Sequence, residues 1–408
     1  MASKKLYYFM KQMNHIYLDY CATTPLAPEV LEAMHPYLLK NFGNASSIHS
    51  FGREAKVALD AAHEIVAQAL GALPQEIVFT SGGTEANNFA LFGAASMFAE
   101  PRHIVTSRIE HPGVLKSVKE LEKRGWKATY VEPEATGIIT AAAVAHAIRP
   151  ETTLLSIMHA NNEIGTINPI AEIAKLAAER GILFHTDAVQ TFGKIPIDLR
   201  ALPISLLTIS GHKIYGPKGI GVLFIRRGVK INSLLHGGKQ ERDRRPGTEN
   251  IPAIAGLAQA VALRQKEKEN EGERLFALTE NFWRRVRALY PPAALNSHPQ
   301  QRLPGILNIS FPGFDSLALV MSLDLQGIAV SNGSACSAGS VEPSHVLRAM
   351  KVGAGREHSA IRFSFGRNTT EAEIDATLVA LEKILARKSR VRKLPKVASI
   401  VEAESIEK

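Results

Sequence analysis

Short runs of β-branched and aliphatic residues alternate with segments of helical periodicity from about residue 55 to residue 226. The runs predict strands at residues 77–80, 103–106, 128–131, 154–158, 182–185, 206–210 and 221–225. Strands that alternate with helices form mostly parallel sheets with both faces covered. The sequence therefore predicts an α/β fold, and we expect ligands at the carboxyl ends of its strands.

Two of the helices between these strands have clear limits. Apolar residues from Ala58 to Ala69 recur at helical spacing before Gly71, which predicts a helix that ends there. A second helix is predicted to begin with Asn168 as its N-cap and Pro169 at the first helical position, and to end at Gly181. Helices in these places are the connections that parallel strands need.

The pattern changes after residue 252. It predicts a long charged helix at residues 253–289, a strand at 306–311, a helix at 316–325, a strand at 361–365 and a last helix that opens at Thr370. A chain of 408 residues is long enough for two domains. We expect a large domain at 16–256, a smaller α+β domain at 257–392 and a tail at 393–408, with residues 1–15 packed on the small domain or disordered.

Composition narrows the setting in which the protein works. Two cysteines argue for a reducing compartment, and no apolar run approaches the length that spans a bilayer. The N-terminus lacks the pattern of a secretory signal, so we expect a cytoplasmic protein without a membrane partner. Much of the net charge of +9 lies in residues 239–245 and 387–396, without the interleaved aromatic residues of single-strand binders. These clusters predict solvated faces or a surface for an acidic protein or anionic ligand. We expect no direct binding of nucleic acid.

Four polar segments follow predicted strands, at residues 81–85, 159–165, 185–190 and 210–219. Glycines and a hydroxyl at a helix start, as in Ser81-Gly82-Gly83-Thr84, can cradle a phosphate, although a Gly-Gly turn often only connects elements. Asp187 can pair with a protonated ring nitrogen or cap a helix. Lys213 can be desolvated enough to form a Schiff base, although an arbitrary lysine is more often solvated. Together these groups fit one cofactor, pyridoxal phosphate.

A fifth segment, residues 331–340, is small, polar and rich in glycine, and it holds Cys336. A thiol is a good nucleophile only as an exposed thiolate. The segment taken alone is also compatible with a surface loop and an incidental cysteine. In combination with the cofactor residues, it predicts a reactive sulfur.

These motifs resemble those of the cysteine desulfurases of the iron–sulfur-assembly class (group I, the nitrogen-fixation and housekeeping type). The resemblance covers Tyr17 to about Arg387 and rests on SGGTE, EHPGVL, NNEIG, HTDAVQ, SGHKIYGPKGIG, RPGTEN, SNGSACSAGS followed by EPSHVLRAM, and IRFSFGR. It places the chain in the class V aminotransferase family of pyridoxal-phosphate enzymes. It implies the transferase fold of type I, with a mixed, mostly parallel seven-stranded sheet in the large domain and a smaller α+β domain.

The resemblance also implies a role for each matching residue. The catalytic residues are Lys213, which holds the cofactor and moves protons, His111, which stacks on the ring, and Cys336, which takes the sulfur. The cofactor-binding residues are Gly83, Thr84, His111, Asn162, Asp187, Gln190, Ser210, Gly211, His212, Lys213 and Thr248, the last reaching the phosphate of the neighbouring subunit. Asn44, Asn162 and Arg362 bind the substrate, and Cys336 is a candidate transient iron–sulfur ligand shared with a scaffold.

The implied activity converts L-cysteine into L-alanine in a homodimer. The sulfur passes to Cys336 as a persulfide and then to an iron–sulfur scaffold or another acceptor protein. The alternatives are a selenocysteine lyase or class V aminotransferase on the same fold, and a sulfur-relay scaffold without catalysis. One departure concerns the pocket: Cys21 stands where the family more often has Asn or Ser.

Overall fold

The computed structural model describes residues 15–333 and 343–391, with side chains to residue 386. Residues 1–14, 334–342 and 392–408 lie outside the described residues, and Cys336 is among them. The helices are α1 Pro28–Leu39, α2 Ser50–Leu70, α3 Gly83–Ala95, α4 Pro112–Lys123, α5 Ala141–Ala147, α6 Ile170–Glu179, α7 Ile251–Leu289, α8 Ser316–Asp324, α9 His345–Ala349, α10 Ala354–Glu357 and α11 Glu371–Val391. The strands are β1 Ile16–Tyr17, β2 Ile77–Thr80, β3 His103–Ser107, β4 Lys127–Val131, β5 Thr152–Ser156, β6 Leu183–Asp187, β7 Leu206–Ser210, β8 Gly221–Ile225, β9 Ala294–Leu295, β10 Ile306–Ser310, β11 Ile328–Ala329 and β12 Ala360–Ser364.

The larger sheet has seven strands in the order β2-β8-β7-β6-β5-β3-β4. Only β8 runs against the other six, because it pairs antiparallel with both β2 and β7 while the remaining pairs are parallel. Alternate residues of β2 face different apolar clusters: Ile77 and Phe79 belong to one, Val78 to the other. The mixed, mostly parallel sheet with two covered faces is thus confirmed.

A smaller lobe is built around the strands that follow the long helix α7. Strands β12, β10 and β9 form an antiparallel sheet, and β1 pairs in parallel with β11. The long helix α7 joins the lobes: its residues 251–261 pack in the large core, and its residues 275–286 pack in the small one. The boundary predicted between residues 256 and 257 falls inside this continuous helix, and β1 pairs with a strand of the small lobe.

The helix limits show where local signals succeed and fail. Gly71 adopts a φ of +66° and ends α2, as predicted. The N-cap predicted at Asn168 is wrong, since α6 begins at Ile170 and no side chain caps it. Asn168 instead accepts from the Ile139 N–H (2.9 Å) and donates to the Met158 carbonyl (2.8 Å).

Two strands have limits that differ from the prediction by two residues. Strand β5 begins and ends two residues earlier than the predicted 154–158, and β6 extends two residues further, to Asp187. Asp187 is therefore the last residue of its strand, at the carboxyl edge of the sheet.

No helix within the described ranges has an apolar stretch long enough to cross a membrane.

Candidate active site

A cavity of about 430 Å³ lies at the carboxyl edge of the large sheet. The predicted residues that line it are Gly83, Thr84, His111, Asn162, Asp187, Gln190, Ser210, His212, Lys213 and Arg362. Segments after β2, β5, β6 and β7 supply most of them, and Arg362 comes from β12 of the small lobe. The structure therefore brings ten predicted residues from both lobes to one place.

Lys213 ends a short 3-10 helix, Gly211–Lys213, directly after β7. Its Nζ donates to the backbone carbonyl of Cys21 and to that of Ala22 (2.7 Å). Burial lowers the pKa of Lys213 from 10.5 to about 8. A neutral amine is consequently available near neutral pH, which is the form that attacks a carbonyl carbon.

Asp187 is buried and its carboxylate is fixed by two donors. Oδ2 accepts from Asn87 Nδ2 (2.7 Å), and Oδ1 accepts from the Val189 N–H (2.9 Å). These two donors fix the direction in which the carboxylate points. The carboxylate can thus hold a proton on the ring nitrogen of a bound heterocycle.

His111 is the N-cap of α4, and its Nδ1 accepts from the Gly113 N–H (3.0 Å). Burial lowers the pKa of His111, although Asp187 opposes the shift. The ring is therefore neutral near pH 7, with its proton on Nε2. Burial, with Lys213 and Lys218, also lowers the pKa of His212 to about 4.

The first turn of α3 forms one end of the cavity. The helix begins at Gly83, and a Cβ built there would lie 2.9 Å from Cγ2 of Val189, so the turn approaches the neighbouring segment closely. Free N–H groups at a helix start attract phosphate. Thr84 and Ser210 line the same cavity and add hydroxyl groups.

Arg362 is 2% exposed and reaches the cavity from the small lobe. Its Nη1 donates to the Asn162 carbonyl (2.9 Å), and its Nη2 donates to Asp19 Oδ1 (2.6 Å). Within the described residues its Nε has no hydrogen-bond partner. A buried, unsatisfied guanidinium N–H beside a cavity is a site for an anion.

Three predicted residues lie away from this cavity. Asn44 is on an exposed loop, where its Oδ1 accepts from the Ser46 N–H (2.9 Å). Thr248 is exposed and lines a separate cavity of about 140 Å³ with Ser81 and Arg245. Gly211 packs beneath the site, where a Cβ would lie 2.8 Å from Ile220 Cγ2.

Sequence reasoning missed two residues of the site. Asn87 holds Asp187, and its position one helical turn after Gly83 and Thr84 could have revealed it. Asp19 pairs with Arg362, 343 positions along the chain, and no local pattern relates them.

No cluster of three or more His, Cys, Asp or Glu side chains suited to a metal occurs in the described part of the chain.

Lys218 lies five positions after Lys213. It is exposed and does not line the cavity, as expected for a turn residue.

The polar groups of the cavity fit pyridoxal phosphate: a low-pKa amine, a fixed carboxylate, a neutral imidazole and a helix start open to a phosphate. The aldehyde, the ring nitrogen, the ring face and the phosphate of that cofactor each have a matching group in the wall.

Comparison with known proteins agrees with this chemistry. The profile of the family described as aminotransferase class-V matches residues 16–377. A relative described as cysteine desulfurase IscS, from Dictyoglomus turgidum, is 48% identical over 375 residues, which cover 92% of this chain and 95% of the relative. The chain belongs to the class-V aminotransferase family of pyridoxal-phosphate-dependent enzymes and, within it, to the cysteine desulfurase family.

Two solved structures resemble the chain over most of its length. One described as a NifS-like protein has a TM-score of 0.87 at 37% identity, covering 91% of this chain and 100% of that chain. One described as SspA in complex with cysteine has a TM-score of 0.77 at 40% identity, covering 86% of this chain and 98% of that chain. The fold-type prediction is confirmed by these matches.

The lowered pKa of Lys213 sets the pH at which the apoprotein takes up its cofactor. The attachment rate should rise with pH up to about 8 and level off above it, because only the neutral amine reacts. Stopped-flow absorbance of apoprotein mixed with pyridoxal phosphate, from about pH 6 to pH 10, measures this. Lys218→Ala should keep the profile and Lys213→Ala should abolish attachment; a rate that still climbs tenfold per unit near pH 10 would mean a solvated amine.

Glu110, next to His111, is fully buried. Its Oε1 accepts from Ser107 Oγ (2.6 Å) and from the Met158 N–H (3.0 Å). Burial raises the pKa of Glu110 from 4.5 to about 8, so the carboxyl group is protonated near neutral pH. The folded state then binds more protons than the unfolded state between these values, and stability present below pH 4.5 is lost as the pH rises to about 8.

Glu110→Gln keeps an acceptor for both donors and removes the ionisation. We expect the Tm of the variant to exceed that of the parent by about 5 °C near pH 9 and to differ little near pH 4, below both pKa values. Thermal unfolding of the apoproteins measures the difference, with the exposed Glu54→Gln as control. Equal pH profiles for Glu110→Gln and the parent would contradict the protonated carboxyl group.

Proposed function

We propose that this chain is a pyridoxal-phosphate-dependent cysteine desulfurase. It converts L-cysteine into L-alanine, moves the sulfur to Cys336 as a persulfide and passes it to an acceptor protein. The observation that carries the proposal is the meeting of Lys213, Asp187 and Arg362 around one cavity. An amine for the cofactor, an acid for its ring and a cation for the substrate are the parts that an amino-acid lyase of this kind needs.

The cofactor supplies a carbonyl carbon that reacts with amines and a ring that accepts an electron pair. Lys213 holds it through Nζ, and Asp187 keeps its ring nitrogen protonated. Thr84, Ser210 and the start of α3 bind its phosphate. Gln190, whose Nε2 now donates to the Cys21 carbonyl (3.0 Å), offers an amide to its phenolic oxygen.

Arg362 binds the carboxylate of L-cysteine. Asp19 and the Asn162 carbonyl hold the guanidinium, so it is already oriented before the substrate binds. Lys213 Nζ removes the proton from the substrate α-carbon, because its lowered pKa leaves an amine that can accept it. His111 Nε2, the ring nitrogen not occupied by Gly113, donates or takes the second proton.

Sulfur transfer is an attack of the Cys336 thiolate on the substrate sulfur. An S–S bond forms as the substrate Cβ–S bond breaks, and the electron pair of that bond stays on the carbon, which takes up a proton. One thiol and one L-cysteine give one persulfide and one L-alanine. Sulfur is oxidised and carbon is reduced in equal measure, so no outside oxidant is needed.

Chain geometry supports the assignment of Cys336. Gly333, three residues before it, lines the cavity. Cys336 itself lies outside the described residues, and the support for its assignment is this proximity along the sequence. The other cysteine, Cys21, is 2% exposed and uses its backbone, not its thiol, to hold Lys213 and Gln190.

The acceptor is proposed to be an iron–sulfur scaffold or another sulfur-carrier protein in the cytoplasm. The low cysteine count supports a reducing compartment. Cys336, on the proposed transfer route, is also the candidate transient ligand for a nascent cluster.

Two pairs of variants test the activity. Lys213→Ala should abolish the near-visible absorbance of the holoenzyme, and Lys218→Ala should leave it unchanged. Cys336→Ser should keep that absorbance but lose sulfide release from L-cysteine at least about 100-fold, while Cys21→Ser retains release. Absorbance spectra and sulfide assays measure both. Full sulfide release by Cys336→Ser would refute the sulfur route, and a colourless parent protein would refute the whole function.

We also propose a homodimer in which Thr248 contacts the cofactor phosphate of the neighbouring subunit. The loop between α1 and α2 exposes large apolar side chains, with Phe42 70% and Ile48 92% accessible. Apolar surface of this size, continued on α1 by Leu38 and Leu39, is typical of a protein interface. Thr248, exposed beside a small cavity, is available to a second chain.

Ile48→Asp should convert the dimer into monomers, because a charge would be buried at the interface. Light scattering after size-exclusion chromatography measures the mass, and cofactor titration should show weaker binding if Thr248 acts across the interface. Leu325→Asp, at an apolar side chain 77% exposed on the small lobe, is the matched control. A parent protein that elutes as a monomer contradicts the proposal.

A further inference from the structure

Lys194 is a half-buried amine that the activity described above does not use. It lies in the turns that follow β6 and lines a second cavity of about 20 Å³, whereas it does not line the larger one. Cys21 and Lys213 line both cavities. Lys194 is therefore directly behind the wall of the site.

The backbone of Lys194 is fixed by its neighbours. Its N–H donates to the Thr191 carbonyl (3.0 Å), and the carbonyl of Gly193 accepts from Arg264 Nε of α7 (2.9 Å). Arg264 is 3% exposed and is itself paired with Glu271 of the same helix. The amine of Lys194 therefore extends from a fixed point, and the long helix α7 holds that point.

The amine of Lys194 contacts the amide of Gln190, which lines the larger cavity. Lys194 Nζ donates to Gln190 Oε1 (3.2 Å), and Gln190 Nε2 donates to the Cys21 carbonyl (3.0 Å). The same carbonyl accepts from Lys213 Nζ. An ammonium group can only donate, so Lys194 selects the oxygen end of the amide. The nitrogen end has two N–H groups, and the contact with Cys21 uses one of them.

The charges around Lys194 favour an anion on the far side of this amide. The titratable or charged groups that face Lys194 are Cys21, Arg264, Glu271 and Arg362. Among these groups of the described chain, Glu271 is the carboxylate, and it is already paired with Arg264. Burial lowers the pKa of Lys194, and an anion nearby would stabilise its charged form. The ionised phenolic oxygen of the cofactor is such an anion.

We propose that Lys194 is a positioning residue for the cofactor: it holds Gln190 Oε1, so that the amide nitrogen is presented to the phenolic oxygen of pyridoxal phosphate with a cation behind the amide. The proposal rests on the proposed function, in which Gln190 contacts that oxygen. A charged donor at one end of an amide polarises it and strengthens the hydrogen bond that the other end donates. Without Lys194, the amide loses one of the two contacts that fix its orientation.

Two ligands separate this contact from the rest of the site. They are pyridoxal phosphate and an analogue in which hydrogen replaces the phenolic hydroxyl group. Both react with Lys213 and both carry the phosphate, so an effect on those contacts changes the two affinities alike. In Lys194→Met apoprotein, the affinity for pyridoxal phosphate should fall about 10-fold more than the affinity for the analogue. Equilibrium dialysis measures both.

Three further variants test the route through the amide. Gln190→Leu should give the same selective loss, and its combination with Lys194→Met should lose no more than the worse single variant, because both remove one contact. Lys194→Arg keeps a charged donor and should bind the cofactor more tightly than Lys194→Met. Lys268→Met is the matched control: Lys268 lines the same small cavity but donates to Gln265 Oε1 (2.9 Å), and its loss should leave the ratio of the two affinities unchanged.

The outcomes distinguish this inference from the proposed function. Equal losses for the two ligands in Lys194→Met would overturn it, because they would show a general effect on the cavity. Parent-like affinity of Lys194→Met for pyridoxal phosphate would overturn it as well, even if Gln190→Leu lost affinity selectively. A parent apoprotein that binds neither ligand would refute the proposed function, whatever the Lys194 variants do.

Discussion

The amine of Lys213 is held by two backbone carbonyls, those of Cys21 and Ala22, and the remaining parts of the site are arranged around this contact. Carbonyl oxygens orient an amine but supply no full charge to keep it protonated, so burial prevails and the pKa of Lys213 falls to about 8. The same Cys21 carbonyl accepts from Gln190. One short stretch of backbone therefore places both the amine and a neighbouring amide.

That stretch is part of a strap, residues 18–24, that connects the two lobes at the cavity. Leu18 is in the small core, and the Cys21 N–H donates to Ser364 Oγ of β12 (2.9 Å). At the other end, the Thr24 N–H donates to the His212 carbonyl (2.9 Å), beside Lys213. Since Asp19 of the same strap holds Arg362, the amine and the guanidinium are kept in a fixed relation by a few residues of one chain.

The large sheet could be predicted because several of its strands are buried on both faces and therefore read as apolar runs; β2, β7 and β8 are buried at every position. Strands β1, β9 and β11 have two residues each, too few to show a period. The site residues after strands could be predicted too, since parallel strands end at one edge. The contact between Asp19 and Arg362 could not, because it joins distant residues. The cap at Asn168 failed because that side chain found partners outside its helix.

Burial also decides which groups of the site carry charge. The pKa values of His159, His185 and His212 are lowered to about 4, that of His111 is lowered in the same direction, and that of Glu110 is raised to about 8. These groups are neutral near pH 7. They can therefore form hydrogen bonds or transfer protons without forming ion pairs with the charged groups of the site. The charged groups among the predicted lining residues are then Asp187, Arg362 and the protonated fraction of Lys213. In the proposed function Asp187 meets the ring nitrogen and Arg362 the substrate carboxylate, so each fixed charge faces a ligand group of opposite sign, and burial of these side chains strengthens each such pair.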